Sequence, residues 1–278
     1  MKIFNTFLYW IFKLFGITNE TELTTLYDKQ VWYGRVNDWK NLKATEKDII
    51  CCMNNDVAGY MIELAGDIPG KKGPKPWTEA WLKDIEEKYK KLVKMTRSAG
   101  IWLFVSIVND NMGQGKYGDK SPKLEKVLAM AKSLALIVKK NGKLGVVVQP
   151  VAETQTTAGN IFEKYCRNEL YNFPLVFNGN GGFPSSTSSF NFRAVHPSST
   201  TMQCPSDAFV ISDHSQLIKE LAKGEKYDGT IREDKCNTWF YTVFHISKCR
   251  VLGYYAFLRS KHDKKTIATL GKFLKKYK

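Results

Sequence analysis

Eight short apolar runs punctuate the chain after residue 30, and most are followed by a stretch with helical periodicity. They are "VWYGRV", "AGYMIELAG", "IWLFVSIV", "LGVVVQP", "FPLVFNG", "FNFRAVHP", "AFVISDH" and "VLGYYAFLRS". Runs of strand length that are apolar almost throughout are strands buried on both faces, the condition of a parallel sheet covered by helices. Eight such units in about 250 residues is the count of a (β/α)8 TIM-like barrel, and that α/β fold is the expectation. A doubly wound open sheet is the structural alternative, but the first strand-to-helix turn, "YGRVNDW", has a single glycine and no GxGxxG.

The helices between the runs carry their own punctuation. "DWKNLKATEKDIICCMN" is opened by Asp38 in this reading. "PWTEAWLKDIEEKYKKLVKMTRSAG" sets Trp81, Ile85, Leu92 and Val93 on one face and stops at Gly100. "SPKLEKVLAMAKSLALIVKKNG" starts near a proline and ends in Asn-Gly; "AGNIFEKYCRNELY", "SQLIKELAKG" and "DKKTIATLGKFLKKY" complete the set. Between residues 172 and 205 two strands are joined by Ser/Thr-rich loops instead of a helix. There "NGNGGFPSSTSS" reads as a long loop and not a phosphate cradle, because no helix follows it directly and no lysine stands in P-loop position.

Ahead of the barrel stands "MKIFNTFLYWIFKLFGIT", the most biased segment of the chain. Lys2, Asn5, Thr6 and Lys13 fall close to one stripe at helical spacing, with Phe, Ile, Leu and Trp filling the rest. It lacks the clean apolar run and small-residue cleavage site of a signal peptide, and is too short and interrupted to be read as a transmembrane helix. An amphipathic helix is expected, docking on a membrane interface, on a protein partner, or back on its own domain. The division is therefore an arm at 1–22 and one barrel domain at 23–278.

The formal charge of +15 raises nucleic acid as a partner. The lysines, however, are interleaved with acids along helices, and only seven of the 42 basic residues are Arg, the side chain suited to base and phosphate forks. With no zinc-finger, helix-turn-helix or RRM signature, nucleic-acid binding is not expected. Lysine-heavy usage fits an AT-rich genome, viral or low-GC bacterial. The six cysteines form no CxxC pair and are read as free thiols, with Cys236 and Cys249 left open as a pair. That usage fits a reducing compartment or a membrane- or assembly-associated protein better than a disulfide-bonded secreted one.

In a barrel of this type the residues just past the strand ends ring one mouth, where sites are built. The rule collects Arg35, Asn37 and Asp38, then Glu63, then Asn109 and Asp110, then Gln149 and Glu153, then Asn178 and Asn180, then His196, then Asp213 with His214, and finally Arg259 and His262. Nearly every strand ends in a polar or ionisable residue, whereas the strand interiors have almost none. Loops are polar in any fold, and Asn or Asp after a strand often caps the next helix, so the weight falls on the ring and not on any one member.

The order of strands and end residues resembles the TIM-barrel glycoside hydrolases of the cellulase-type clan, over residues 30 to 275 and by position instead of a specific motif. That resemblance implies an acid/base carboxylate after strand four and a nucleophile after strand seven, places held here by Glu153 in "VVVQPVAET" and Asp213 in "FVISDHS". It implies a carbohydrate ligand, contacted by Arg35, Glu63, Asn109, Asp110, Gln149, Asn178, His196, His214 and Arg259, and no cofactor. Retaining hydrolysis needs its two carboxyls about 5 Å apart, one protonated and one ionised. The chain departs from the clan in having Ala152 where Asn precedes the acid/base Glu, and Asp213 where the nucleophile is Glu. Those departures leave open another family, an inverting geometry, or a barrel that binds glycan without cleaving it.

Other chemistries are less well supported by spacing. Asp110, Glu153, His196, Asp213 and His214 include no HxH or HExxH, so no metal is expected. No serine has a GxSxG context, and Cys204 has no evident partner. The competing reading is a non-catalytic barrel, structural or interacting, docked on an assembly or membrane by its N-terminal helix.

Overall fold

The computed structural model describes residues 2–19, 30–35, 41–64, 78–107, 124–142, 144–149, 164–178, 192–195, 208–213, 251–256 and 261–277. The chain begins with α1 (Lys2–Phe15), followed by β1 (Gln30–Arg35), α2 (Leu42–Met53), β2 (Gly59–Glu63), α3 (Glu79–Ala99), β3 (Trp102–Ser106), α4 (Leu124–Asn141) and β4 (Val146–Gln149). A short helical run at 164–169 precedes β5 (Val176–Asn178), β6 (Phe192–Val195), β7 (Ala208–Asp213) and β8 (Val251–Ala256), and the C-terminal helix spans Asp263–Tyr277. Each of the eight strands falls on one of the eight apolar runs. The predicted helix "SQLIKELAKG" lies outside the described residues, as does the loop "NGNGGFPSSTSS".

All strands run parallel in one sheet of order β4-β3-β2-β1-β8-β7-β6-β5. The two ends of that order meet at a parallel bridge between Val148 and Leu175, where the Val148 amide donates to the Pro174 carbonyl at 2.8 Å. The architecture is therefore α/β, as the apolar runs required.

Alternation along the strands sorts side chains between two faces. Val31, Tyr33, Tyr60 and Tyr254 pack outward on α2, the end of α3 and the C-terminal helix, with Ile49, Cys52, Met95, Ile267 and Leu270. Ile62, Leu103, Val105, Val146 and Val148 pack outward on α3 and α4. The opposite face carries Trp32, Met61, Phe104 and Val147 in buried rows, with the rings of Trp32 and Phe104 edge to face at 5.9 Å. Gly59 pairs with Trp32 in register because nothing larger fits: a Cβ there would stand 2.3 Å from the Trp32 ring.

Helix ends follow side-chain chemistry. Thr78 caps α3, its hydroxyl accepting from the Trp81 amide at 3.3 Å, and Gly100 closes the helix at φ +64°, the left-handed conformation glycine adopts without strain. Trp81, Ile85, Leu92 and Val93 are buried along α3 as its periodicity requires. The start of α2 corrects the expectation at Asp38. The helix begins at Leu42 because the Asn41 side chain accepts from the Ala44 amide at 3.2 Å, and Asp38 itself lies outside the described residues.

Candidate functional site

The site is built where the inner face of the sheet changes from apolar to polar. Going up the strands, one row of register partners is Gly34, Met61, Phe104 and Val147. The next row on the same face, at the carboxyl ends, is Glu63, Ser106 and Gln149. Each sits two residues beyond its apolar predecessor, and two residues in a strand return a side chain to the same face. Backbone bonds carry this corner past the strands: the Leu64 amide donates to Ser106 O at 2.6 Å and the Ile107 amide to Gln149 O at 3.1 Å.

All three side chains are withdrawn from water, with Ser106 and Gln149 each 2% exposed and Glu63 9%. Among the described residues the Ser106 hydroxyl oxygen and the Gln149 Oε1 have no hydrogen-bond partner. A buried acceptor without a partner costs about 1–3 kcal/mol, and such groups are where a ligand's donors are received. A hydroxyl, an amide and a carboxylate in one row offer both donors and acceptors, the combination that suits a polyhydroxylated ligand. The apolar row of Met61, Phe104 and Val147 beneath closes the floor.

Of the residues expected at the mouth, Glu63 and Gln149 are brought together in this row. Asn178 ends β5 in register with Ala194, and Asp213 ends β7 in register with Tyr255, itself the partner of Gly34. Glu153, Asn109, Asp110, His196, His214 and Arg259 lie outside the described residues. Ser106 is not among the residues expected at the mouth, because it lies within the apolar run of strand three and not beyond its end. Its signal was the lone hydroxyl in "WLFVSIV", two positions past Phe104.

Arg35 is where the expectation fails. Its side chain, 1% exposed, points into the helix layer, between Asp48 of α2 (3.6 Å) and Asp263 of the C-terminal helix. The Tyr33 hydroxyl donates to the same Asp263 at 3.2 Å, and the Arg35 guanidinium lies 5.9 Å from the Tyr33 ring centre. Residue 35 has the parity of Val31 and Tyr33, which face outward, so the strand directs it away from the mouth. Burial drives the Tyr33 hydroxyl well above the ordinary tyrosine range, against the opposing pull of Arg35.

Burial suppresses ionisation of the two adjacent thiols of α2. Among the described residues Cys51 and Cys52 of α2 are free thiols. Burial raises the Cys52 thiol well above its usual value, and it raises Cys51 with help from the charge of Asp48. Among the described residues no group of His, Cys, Asp and Glu is arranged to hold a metal ion.

By sequence, no protein family matches the chain and neither does any curated protein. In fold it is similar to solved TIM-barrel enzymes, mostly glycoside hydrolases. It is similar to a GH113 β-1,4-mannanase at a TM-score of 0.52 and 10% identity, over 90% of this chain and 99% of that one. It is also similar to a GH138 enzyme targeting pectin rhamnogalacturonan II, at a TM-score of 0.54 and 12% identity, over 90% of this chain and 39% of the other. A glycoside hydrolase and a family 5 glycoside hydrolase from Bacteroides vulgatus superpose at TM-scores of 0.52 and 0.51, with 8% and 10% identity, over 81% and 84% of this chain. The chain spans 61% of the length of each of those two. At such identities the likeness is one of fold.

Proposed function

We propose that the chain is a carbohydrate-active (β/α)8 barrel that takes a polysaccharide at the carboxyl ends of its strands and hydrolyses it with two carboxylates. The observation that carries this reading is the polar row of Glu63, Ser106 and Gln149 above the apolar row of Met61, Phe104 and Val147, with the Ser106 hydroxyl and the Gln149 Oε1 lacking a hydrogen-bond partner among the described residues. Fold-level likeness to glycoside hydrolases supports it by analogy. In the mechanism, Glu153 protonates the leaving oxygen, and Asp213 attacks the anomeric carbon or activates water, according to the separation of the two groups. Glu63, Ser106 and Gln149 receive sugar hydroxyls on the side of β2 to β4, and no cofactor takes part.

The test is release of reducing ends from a panel of β-linked polysaccharides, beginning with β-1,4-mannan, the substrate for which one of the similar structures is named. Glu153→Gln and Asp213→Asn are each expected to lower kcat by about 10²–10⁴-fold, the usual contribution of a general acid or base, while calorimetry shows oligosaccharide binding retained. Turnover untouched by both changes would reject the pair. Oligosaccharide binding by a wild-type chain that releases no reducing ends would leave a glycan-binding barrel without catalysis.

A further inference from the structure

Helix α1 is held to the domain by its polar side. The Tyr9 hydroxyl donates to Glu46 Oε1 of α2 at 2.6 Å, and Lys13 pairs with the same carboxylate. Asn54 donates to the Thr6 hydroxyl at 3.1 Å, and Lys2 to Asn55 Oδ1 at 3.2 Å. Residues 2, 6, 9 and 13 recur at helical spacing, so these contacts define one inward stripe, in which Tyr9 is fully buried. Ile3, Phe4, Phe7, Trp10, Leu14 and Phe15 are left outward, from 48% exposed at Trp10 to 89% at Ile3. A helix covering its own core presents the opposite face.

Basic side chains adjoin this face. Gly16, Ile17 and Thr18, just past the end of α1, line one cavity with Lys90, Lys94 and Arg97 of α3. On the other flank, Leu8, Tyr9 and Phe12 share a cavity with Leu274 of the C-terminal helix, whose last turns carry the exposed Lys272, Lys275 and Lys276. We propose that α1 lies flat in the interface of an anionic lipid bilayer. Its apolar face enters the boundary between headgroups and acyl chains, and the lysines of α3 and the C-terminal helix meet the headgroups. Trp10 and the three phenylalanines suit that depth. No described helix is long and apolar enough to cross a membrane, so the helix lies on the bilayer and does not span it. Charge decides against a second copy as the occupant. Two copies of net charge +15 repel one another, whereas an anionic surface attracts the chain.

The experiment is flotation of the full chain with phosphatidylcholine vesicles, with and without phosphatidylserine. The expected result is salt-sensitive flotation with the serine-lipid vesicles, lost by at least about tenfold in Phe4→Ser/Phe7→Ser/Trp10→Ser at an unchanged melting temperature. If that variant melts lower, Ile3→Ser/Leu14→Ser, at the two most exposed positions, gives the same reading. The proposal is overturned by absent flotation, by equal flotation on neutral vesicles, or by flotation that the substitutions leave intact. It is equally overturned by a dimer in sedimentation that the substitutions dissolve, which would assign the face to a second copy.

Discussion

Arg35 and Gln149 stand at comparable strand ends, yet one is locked among helices and the other looks onto the inner face. The difference is one of parity along the strand. A buried guanidinium between Asp48 and Asp263 joins β1 to two helices, and its removal leaves two carboxylates withdrawn from water without their cation. Arg35→Met is therefore expected to cost about 3–5 kcal/mol, read from urea denaturation, with the variant's oligosaccharide affinity unchanged wherever it stays folded. At the mouth, Gln149→Ala is expected to weaken oligosaccharide binding by about tenfold with little change in stability, since Oε1 has no partner among the described residues to lose. Calorimetric titration separates the two residues. Strand-end polarity alone selected both, because a residue's place in the sequence records its height in the sheet and not the face on which its side chain emerges.

Elements were the most legible scale. Strands buried on both faces have to be apolar throughout, so the eight runs announced themselves, and α3 was readable from its periodicity and its closing glycine. Packing across elements was not. Gly59 gives no sign in "AGYMIELAG" that it sits against the Trp32 ring, since that approach is created by the register of β1 with β2. Gly59→Ala is expected to lower stability by about 1–3 kcal/mol through overpacking, read as a lower thermal midpoint. Helix α1 shows the same limit: its amphipathic pattern was visible, but which side meets the domain depended on Glu46, Asn54 and Asn55 being presented by α2.

At the scale of the whole molecule, charge and burial make the fold sensitive to alkali. Burial is the first cause raising the hydroxyls of Tyr9, Tyr33 and Tyr89 above the ordinary tyrosine value; Glu46 adds to it at Tyr9. The folded chain holds these protons more tightly than the unfolded chain, in which tyrosine ionises near 10. Their contribution is whole below that pH and declines as pH rises beyond it toward the folded values. The urea midpoint is expected to be level between pH 7 and 9 and to fall by pH 11; a level midpoint through pH 11 would show that these hydroxyls ionise equally in both states. Along α3 some lysines pair with an acid one turn away, as Lys88 does with Asp84 at 2.5 Å.

From the sequence alone came the α/β class, the eight strands and the main helices. These are local properties, set by hydrophobic period and by caps that each segment carries within itself. Tertiary structure alone decided that Glu63, Ser106 and Gln149 form one row, that Arg35 turns to the helices, and that α1 shows its apolar side outward. Those outcomes depend on register and on which neighbour supplies a partner, relations between segments far apart in the chain that no local pattern encodes.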